Sequence, residues 1–193
     1  MMLIRHIENP ILKNLAEWAV AALAALLLFL FMRNFVFRVA DVNGHSMEPT
    51  LSHGDFVLLS KVGYWFNEPQ KGDIIAFPFR GNPSEYYIKR IMGIPGDVVE
   101  FENNRFLING VEPDFGFEQV DIISPGDILL PMTVNDGEFF VLGDNRNSSK
   151  DSRYQSVGSI SERDMLGRVV VRFWPLDRLL RFENNQNTGQ AEQ

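Results

Sequence analysis

The run WAVAALAALLLFLFM, from Trp18 to Met32, constrains this chain more than any other stretch, because its 15 residues carry no charge. At ~1.5 Å rise per residue such a helix covers about 22 Å, short of the ~30 Å hydrocarbon core of a bilayer. Extension to Phe37 brings it to about 30 Å, provided Arg33 snorkels outward. Trp18, Phe29, Phe31, Phe35 and Phe37 then fall near the two interfaces. A core helix apolar on every side needs a shell to bury it, and no downstream segment is long enough to supply one. A cleaved signal peptide needs small residues at alternate positions before the cut, and Arg38 spoils the pair with Ala40. The sequence therefore predicts a retained membrane anchor over residues 15–37, preceded by a short terminus, 1–14. Arg5 and Lys13 precede the span, and Arg33 and Arg38 follow it. The positive-inside count is thus a tie and sets no orientation.

Charge narrows the partners. The first forty residues are slightly basic, so the acidity of the chain, net −7, lies in the rest. An acidic body does not suit a nucleic-acid partner, which requires a basic surface. The chain has no Cys, which excludes disulfides, a thiol nucleophile and thiolate metal sites.

After residue 40 the chain reads as β. Gly-Asp occurs at 54–55, 72–73, 96–97, 126–127 and 143–144, and the first four lead into the apolar runs FVLL, IIAF, VVEF and ILL. Each pair reads as a turn feeding a strand, since Gly tolerates turn angles and Asp bonds back to nearby amides. Asn109-Gly110 suits a type I′ hairpin turn. GRVVVRFW is a strand ended by Pro175, and Ser161 is a candidate cap for a short turn at ISERDML. Short strands separated by turns imply a sheet sandwich or partly closed barrel. The tail from about 180 to 193 is polar and expected to be disordered.

Three stretches carry candidate chemistry. In GHSMEPTL, Ser46 follows His45, but neighbouring side chains on an extended segment point to opposite faces. A general base must come within about 2.6–3.2 Å of the hydroxyl, so His45 is a poor one. His53 could return through a turn but lacks an orienting acid. His45, His53 and Asp55 match no metal-binding spacing, and no metal or other cofactor is expected. In YYIKRIMGIPGD, residues 86–97, alternation sets Tyr87, Lys89 and Ile91 on one face and Ile88, Arg90 and Met92 on the other. Lys89 is open to two readings. On an exposed edge strand it would deter aggregation. Between Tyr87 and Ile91 it would lose water, and desolvation lowers a lysine pKa toward neutrality, where the amine can take a proton from a serine. The third stretch is GDNRNSSKDSR, residues 143–153, a polar loop leaving the apolar run FFVL, where functional loops tend to sit.

Together these stretches, in this order behind one anchor, resemble the type I signal peptidases, membrane-anchored Ser-Lys proteases. The resemblance spans residues 15 to 175. It implies two antiparallel β lobes after one transmembrane helix, with a catalytic lobe over 41–97 and 138–175 and a smaller inserted lobe over 98–137. It implies Ser46 as nucleophile and Lys89 as general base. Ser149 would orient the lysine, Asp151 would support Ser149 and pair with Arg153, and Asp144 with Arg90 would form a structural ion pair. The Ser46 N–H would be one oxyanion donor. Gly44 stands where one branch has a serine that supplies the second, so that donor must come from elsewhere. Met47, Leu51 and Tyr87 would wall the substrate pockets. The implied substrates are exported preproteins whose signal peptides have small residues at −1 and −3, bound as an added β-strand. The small inserted lobe fits the compact branch typical of Gram-positive bacteria, with the N-terminus cytoplasmic and the body outside a plasma membrane. A non-catalytic peptide-binding module and a self-cleaving Ser-Lys protease are the rival readings. Eight residues separate Arg38 from Ser46. At ~3.3 Å each they hold the nucleophile within about 26 Å of the span's end.

Overall fold

The computed structural model describes residues 10–65, 67–117 and 120–182. It divides into an N-terminal unit, up to Phe37, and a compact unit from Arg38 onward.

The first unit is the helix α1, Pro10–Phe31, followed by one π-helical turn, Met32–Val36. Helix α1 starts several residues before the expected anchor, at Pro10. Proline suits a first helical position because its fixed φ fits and its missing N–H has no partner to lose there. The 21 residues Ile11–Phe31 are long and apolar enough to cross a membrane, and their apolar side chains are exposed on all sides.

The second unit is mostly β. Its strands are β1 (Phe37–Asp41), β2 (Phe56–Ser60), β3 (Ile74–Phe79), β4 (Asn82–Gly93), β5 (Val98–Glu102), β6 (Arg105–Ile108), β7 (Met132–Thr133), β8 (Glu138–Leu142), β9 (Ile160–Ser161), β10 (Gly167–Trp174) and β11 (Leu180–Arg181). The large sheet runs β1-β2-β10-β3-β4-β8-β9, with β11 on β10, and the small one runs β6-β5-β7. All the registered pairs are antiparallel, as expected.

Three of the Gly-Asp pairs build the same turn. Asp55, Asp73 and Asp97 each accept, through a carboxylate oxygen, the amide three residues back, from Ser52, Gln70 and Ile94. Each aspartate's own N–H donates to the carbonyl of that residue. The glycine then bonds a neighbouring chain segment at Val42, Ile91 or Val134. Gly54, Gly72 and Gly96 have φ between +85 and +92°, which is why glycine fills the position. The pairs at 126 and 143 do other work: Asp127 binds Gln155, and Asp144 binds Arg90.

Strand β3 is apolar without alternation because both its faces are buried. Ile74 and Ala76 join one core with Met47, Leu51 and Ile88, while Ile75 and Phe77 join another with Ile91 and Val141. A third core contains Met92, Phe140 and Leu142 from the large sheet and Val99, Phe106 and Ile108 from the small one. The small sheet occupies the segment expected for an inserted lobe, but it shares its core with the main sheet. Asn109 and Gly110 both have positive φ, as a type I′ turn requires. The turn closes only a single bridge, Ile108 to Val111, and the full hairpin of β5 and β6 turns instead at Asn103-Asn104, also at positive φ.

Two expectations need correction. Ser161 makes no capping hydrogen bond to the short turn Glu162–Asp164. The expected disordered tail begins too early, because Leu180 and Arg181 pair with Arg172 and Val171. The remainder of that tail, 183–193, lies outside the described residues, as does the terminus 1–9.

Candidate active site

Ser46 opens a turn whose ends are tied into the core. Met47 and Leu51 are fully buried, and the Leu51 N–H donates to Met47 O at 2.8 Å. The apolar residues on either side of the turn thus fix the backbone that presents the half-buried Ser46. The loop after β8 closes on its back. Asn145 donates its N–H to Ser46 O at 3.0 Å and its amide Nδ2 to His45 O at 3.1 Å. Gly143 is required by this contact, since a Cβ there would overlap both Ser149 Oγ and Ser46 O.

Lys89 comes from β4 to meet the serine. Its register partner is Ile75 of the central strand β3, so the lysine is carried on the interior of the sheet and not on a solvated edge. It is only 4% exposed, with Nζ 2.7 Å from Ser46 Oγ. Nζ also donates to Ile88 O at 3.0 Å and lies 5.1 Å from the centre of the Tyr87 ring. Burial pushes its pKa down from 10.5 to about 8, against the nearby carboxylates of Asp151 and Asp144, which favour the ammonium.

Those carboxylates are matched one for one. Arg90 grips Asp144 with two bonds, 2.8 and 2.7 Å, and Arg153 grips Asp151 with two, 2.7 and 2.9 Å. Paired ions cancel most of each other's field, and the desolvation of Lys89 therefore prevails. Arg153 also donates to the carbonyls of Arg146 and Ser149, holding the loop in shape, and Asp151 accepts the Gly143 N–H. Arg90 lies over the rings of Phe115 and Phe117, which couples the site to the segment between β6 and β7 of the small sheet.

The structure thus brings together Ser46, Lys89, Arg90, Asp144, Asp151 and Arg153. Ser149 lies against Gly143, but its Oγ is buried with no hydrogen-bond partner among the described residues, and the Ile88 carbonyl makes the orienting contact to Lys89 instead. The histidines are engaged elsewhere. His45 Nδ1 is 2.8 Å from Glu48, and His53 Nδ1 accepts the Gly44 N–H at 3.2 Å. That bond removes the Gly44 amide as a second oxyanion donor, whereas the Ser46 N–H has no acceptor among the described residues.

A groove opens beside the pair, lined among others by Asp41, Asn43, Met47, Tyr86, Tyr87 and Ile88. Tyr87 lines this groove and Met47 borders it, but the Met47 side chain, like that of Leu51, is consumed by the core below, and Leu51 does not reach the groove. Sequence reasoning missed Asn145, Gly143 and Tyr86. Asn145 looks like any other polar residue of its loop, and nothing in a single sequence separates it from Asn147.

A family model described as signal peptidase, peptidase S26, matches residues 15–174. Signal peptidase IB of Staphylococcus aureus is 32% identical over 195 residues, covering 91% of this chain and 98% of its own length. Signal peptidase I of Leptolyngbya laminosa is 42% identical over 180 residues, covering 89% of this chain and 84% of its own. A crystal structure of a signal peptidase I from Enterococcus faecalis is 32% identical and covers 53% of this chain and 97% of its own, with a TM-score of 0.44.

Proposed function

The chain belongs to the signal peptidase family, peptidase S26, and on that footing we propose that Ser46 and Lys89 are the dyad with which it cleaves signal peptides from preproteins. It is a serine endopeptidase of the signal peptidase I type. The observation that carries the assignment of the dyad is the 2.7 Å contact between a buried amine and the serine hydroxyl.

The geometry supports the following reaction. With Lys89 neutral, its lone pair faces the Ser46 hydroxyl while an N–H is held by Ile88 O. Lys89 takes the proton as Oγ attacks the scissile carbonyl, and the Ser46 N–H stabilises the oxyanion. The ammonium then passes its proton to the leaving amine. Water, deprotonated by the same amine, hydrolyses the acyl-enzyme. By the family's pattern the Ser149 hydroxyl, which has no hydrogen-bond partner among the described residues, would receive an N–H of the ammonium. Arg153 with Asp151 and Arg90 with Asp144 act as positioning pairs behind the amine.

The substrate lies extended in the groove and presents small side chains at −1 and −3. Met47 and Tyr87 bound the space for them. Helix α1 anchors the chain in the plasma membrane with its N-terminus cytoplasmic. The length and composition of Ile11–Phe31 and the family match support the anchoring, and the orientation follows the resemblance alone. The catalytic lobe comprises 41–97 and 138 to about 182, with 98–137 as its insertion.

Cleavage of a synthetic signal-peptide substrate, with the cut located by mass spectrometry, tests this reading. One cut after a small −1 residue is expected, and replacing that residue by Phe is expected to lower kcat/KM at least about a hundredfold. Equal cleavage of both peptides would refute it.

A further inference from the structure

Strand β1 ends the large sheet, and one of its edges faces the groove. The direction of each main-chain group follows from its neighbour. Val42 exchanges both its hydrogen bonds with the β2 side: its N–H donates to Asp55 O at 2.8 Å, and its O accepts the Gly54 N–H at 2.9 Å. Successive residues of a strand point their polar groups to opposite sides, so Asp41 turns its N–H and C=O away from β2. Those are the groups an added peptide strand would take.

One side chain from across the groove already holds them. The Asp41 N–H donates to the Tyr86 hydroxyl at 2.9 Å, and that hydroxyl lies 2.7 Å from Asp41 O and 2.6 Å from Asp41 Oδ1. Tyr86 stands on β4 three residues before Lys89, so the contact spans the groove between β1, which leads into the turn of Ser46, and the strand that carries Lys89. The hydroxyl has one hydrogen and faces two acceptors of Asp41, so it donates to one of them at a time. The Tyr86 ring packs against the core that holds Met47 and Ile88, and the Arg38 guanidinium covers it at 5.8 Å. Burial, then the Asp41 carboxylate, pushes the phenol up to about 12, so it stays a neutral donor across the working range.

We propose that the Tyr86 hydroxyl is a latch. It occupies the hydrogen-bonding edge of β1 at Asp41 in the free enzyme, and the extended segment of an incoming signal peptide must take that edge from it. The proposal rests on the reading of the groove as the substrate site. Tyr86 is a positioning residue in the groove, and its displacement costs every peptide that takes this edge about the same affinity.

The test is Tyr86→Phe in the full chain in detergent micelles, with a peptide substrate. The ring remains and only the latch is lost, so KM is expected to fall roughly two- to tenfold, the worth of one net hydrogen bond. A KM that is unchanged or higher overturns the latch; a strut that merely shapes the groove would raise KM and lower Tm. Ser46→Ala separates the two readings. If that variant still cleaves, the groove is not the catalytic site and the function assigned to it fails. If it is inactive while Tyr86→Phe leaves KM unmoved, the latch alone fails. Should Tyr86→Phe not fold, ¹³Cζ-tyrosine NMR of the Ser46→Ala protein gives the answer, with Tyr64, Tyr87 and Tyr154 assigned from their own phenylalanine variants. The Tyr86 resonance is expected to shift when peptide saturates the site, and a resonance that stays in place contradicts the proposal.

Discussion

Ser46→Ala is expected to leave a folded protein whose cleavage of a preprotein in detergent falls roughly 10⁴-fold or more. The change removes the atom that forms the acyl-enzyme, and the oxyanion donor and groove alone give little turnover. Folding survives because the turn is held by groups other than this hydroxyl. Met47 and Leu51 fill the core beneath it, and Asn145 grips the backbone carbonyls of His45 and Ser46. Among the described residues the hydroxyl's sole partner is Lys89, which keeps Ile88 O. Tm within a few degrees of the parent, beside lost cleavage, is the expected pair of results. Substantial cleavage by the variant would remove Ser46 as nucleophile.

Lys89→Met separates base chemistry from stability. Methionine nearly matches the length of the lysine stem and cannot accept the proton, so the rate is expected to fall about 10²- to 10⁴-fold. Stability is expected to hold or rise, because the buried amine gives way to a side chain with no desolvation cost. The gain has a pH signature. The folded pKa of Lys89, about 8, lies below its unfolded value of 10.5. Between these values the unfolded chain binds more protons, so wild-type stability rises with pH from about 8 and levels near 10.5. Below pH 8 the buried amine weighs most heavily against folding, and there the methionine variant gains most. Thermal melts across that range check it. Lys89→Arg keeps a positive charge but cannot release its proton, and is expected to be as inactive as methionine.

Much of the site was legible because its chemistry is carried by short local patterns. Alternation along YYIKRIM set Lys89 beside Tyr87, and its amine does lie over that ring, but it also set Ile88 and Met92 on one face, whereas they join two different cores. Whether Lys89 lay inside or on an edge was not legible, since that depends on which strands flank β4, a fact of topology. Leu51 was misread for a related reason: proximity to Ser46 in sequence does not say which side of the turn faces the groove. Asn145 and Ser46 are 99 residues apart, and Tyr86 and Asp41 are 45 apart. Contacts over such separations leave no periodicity behind. The Gly-Asp pairs show the same divide. Three are local devices and were read correctly as turns, while those at 126 and 143 are shaped by Arg153, Ser149 and Ser46 packing against the glycine. The anchor helix was evident from composition.

The central claim is that a buried, neutral Lys89 activates Ser46. The most direct measurement is the pH dependence of kcat/KM for a peptide with no ionisable group between pH 6 and 10. The predicted profile rises with unit slope and levels off, with an apparent pKa of about 8. A profile governed by a group near 6.5, the ordinary range of histidine, or one that is flat from pH 6 to 9, would contradict the account.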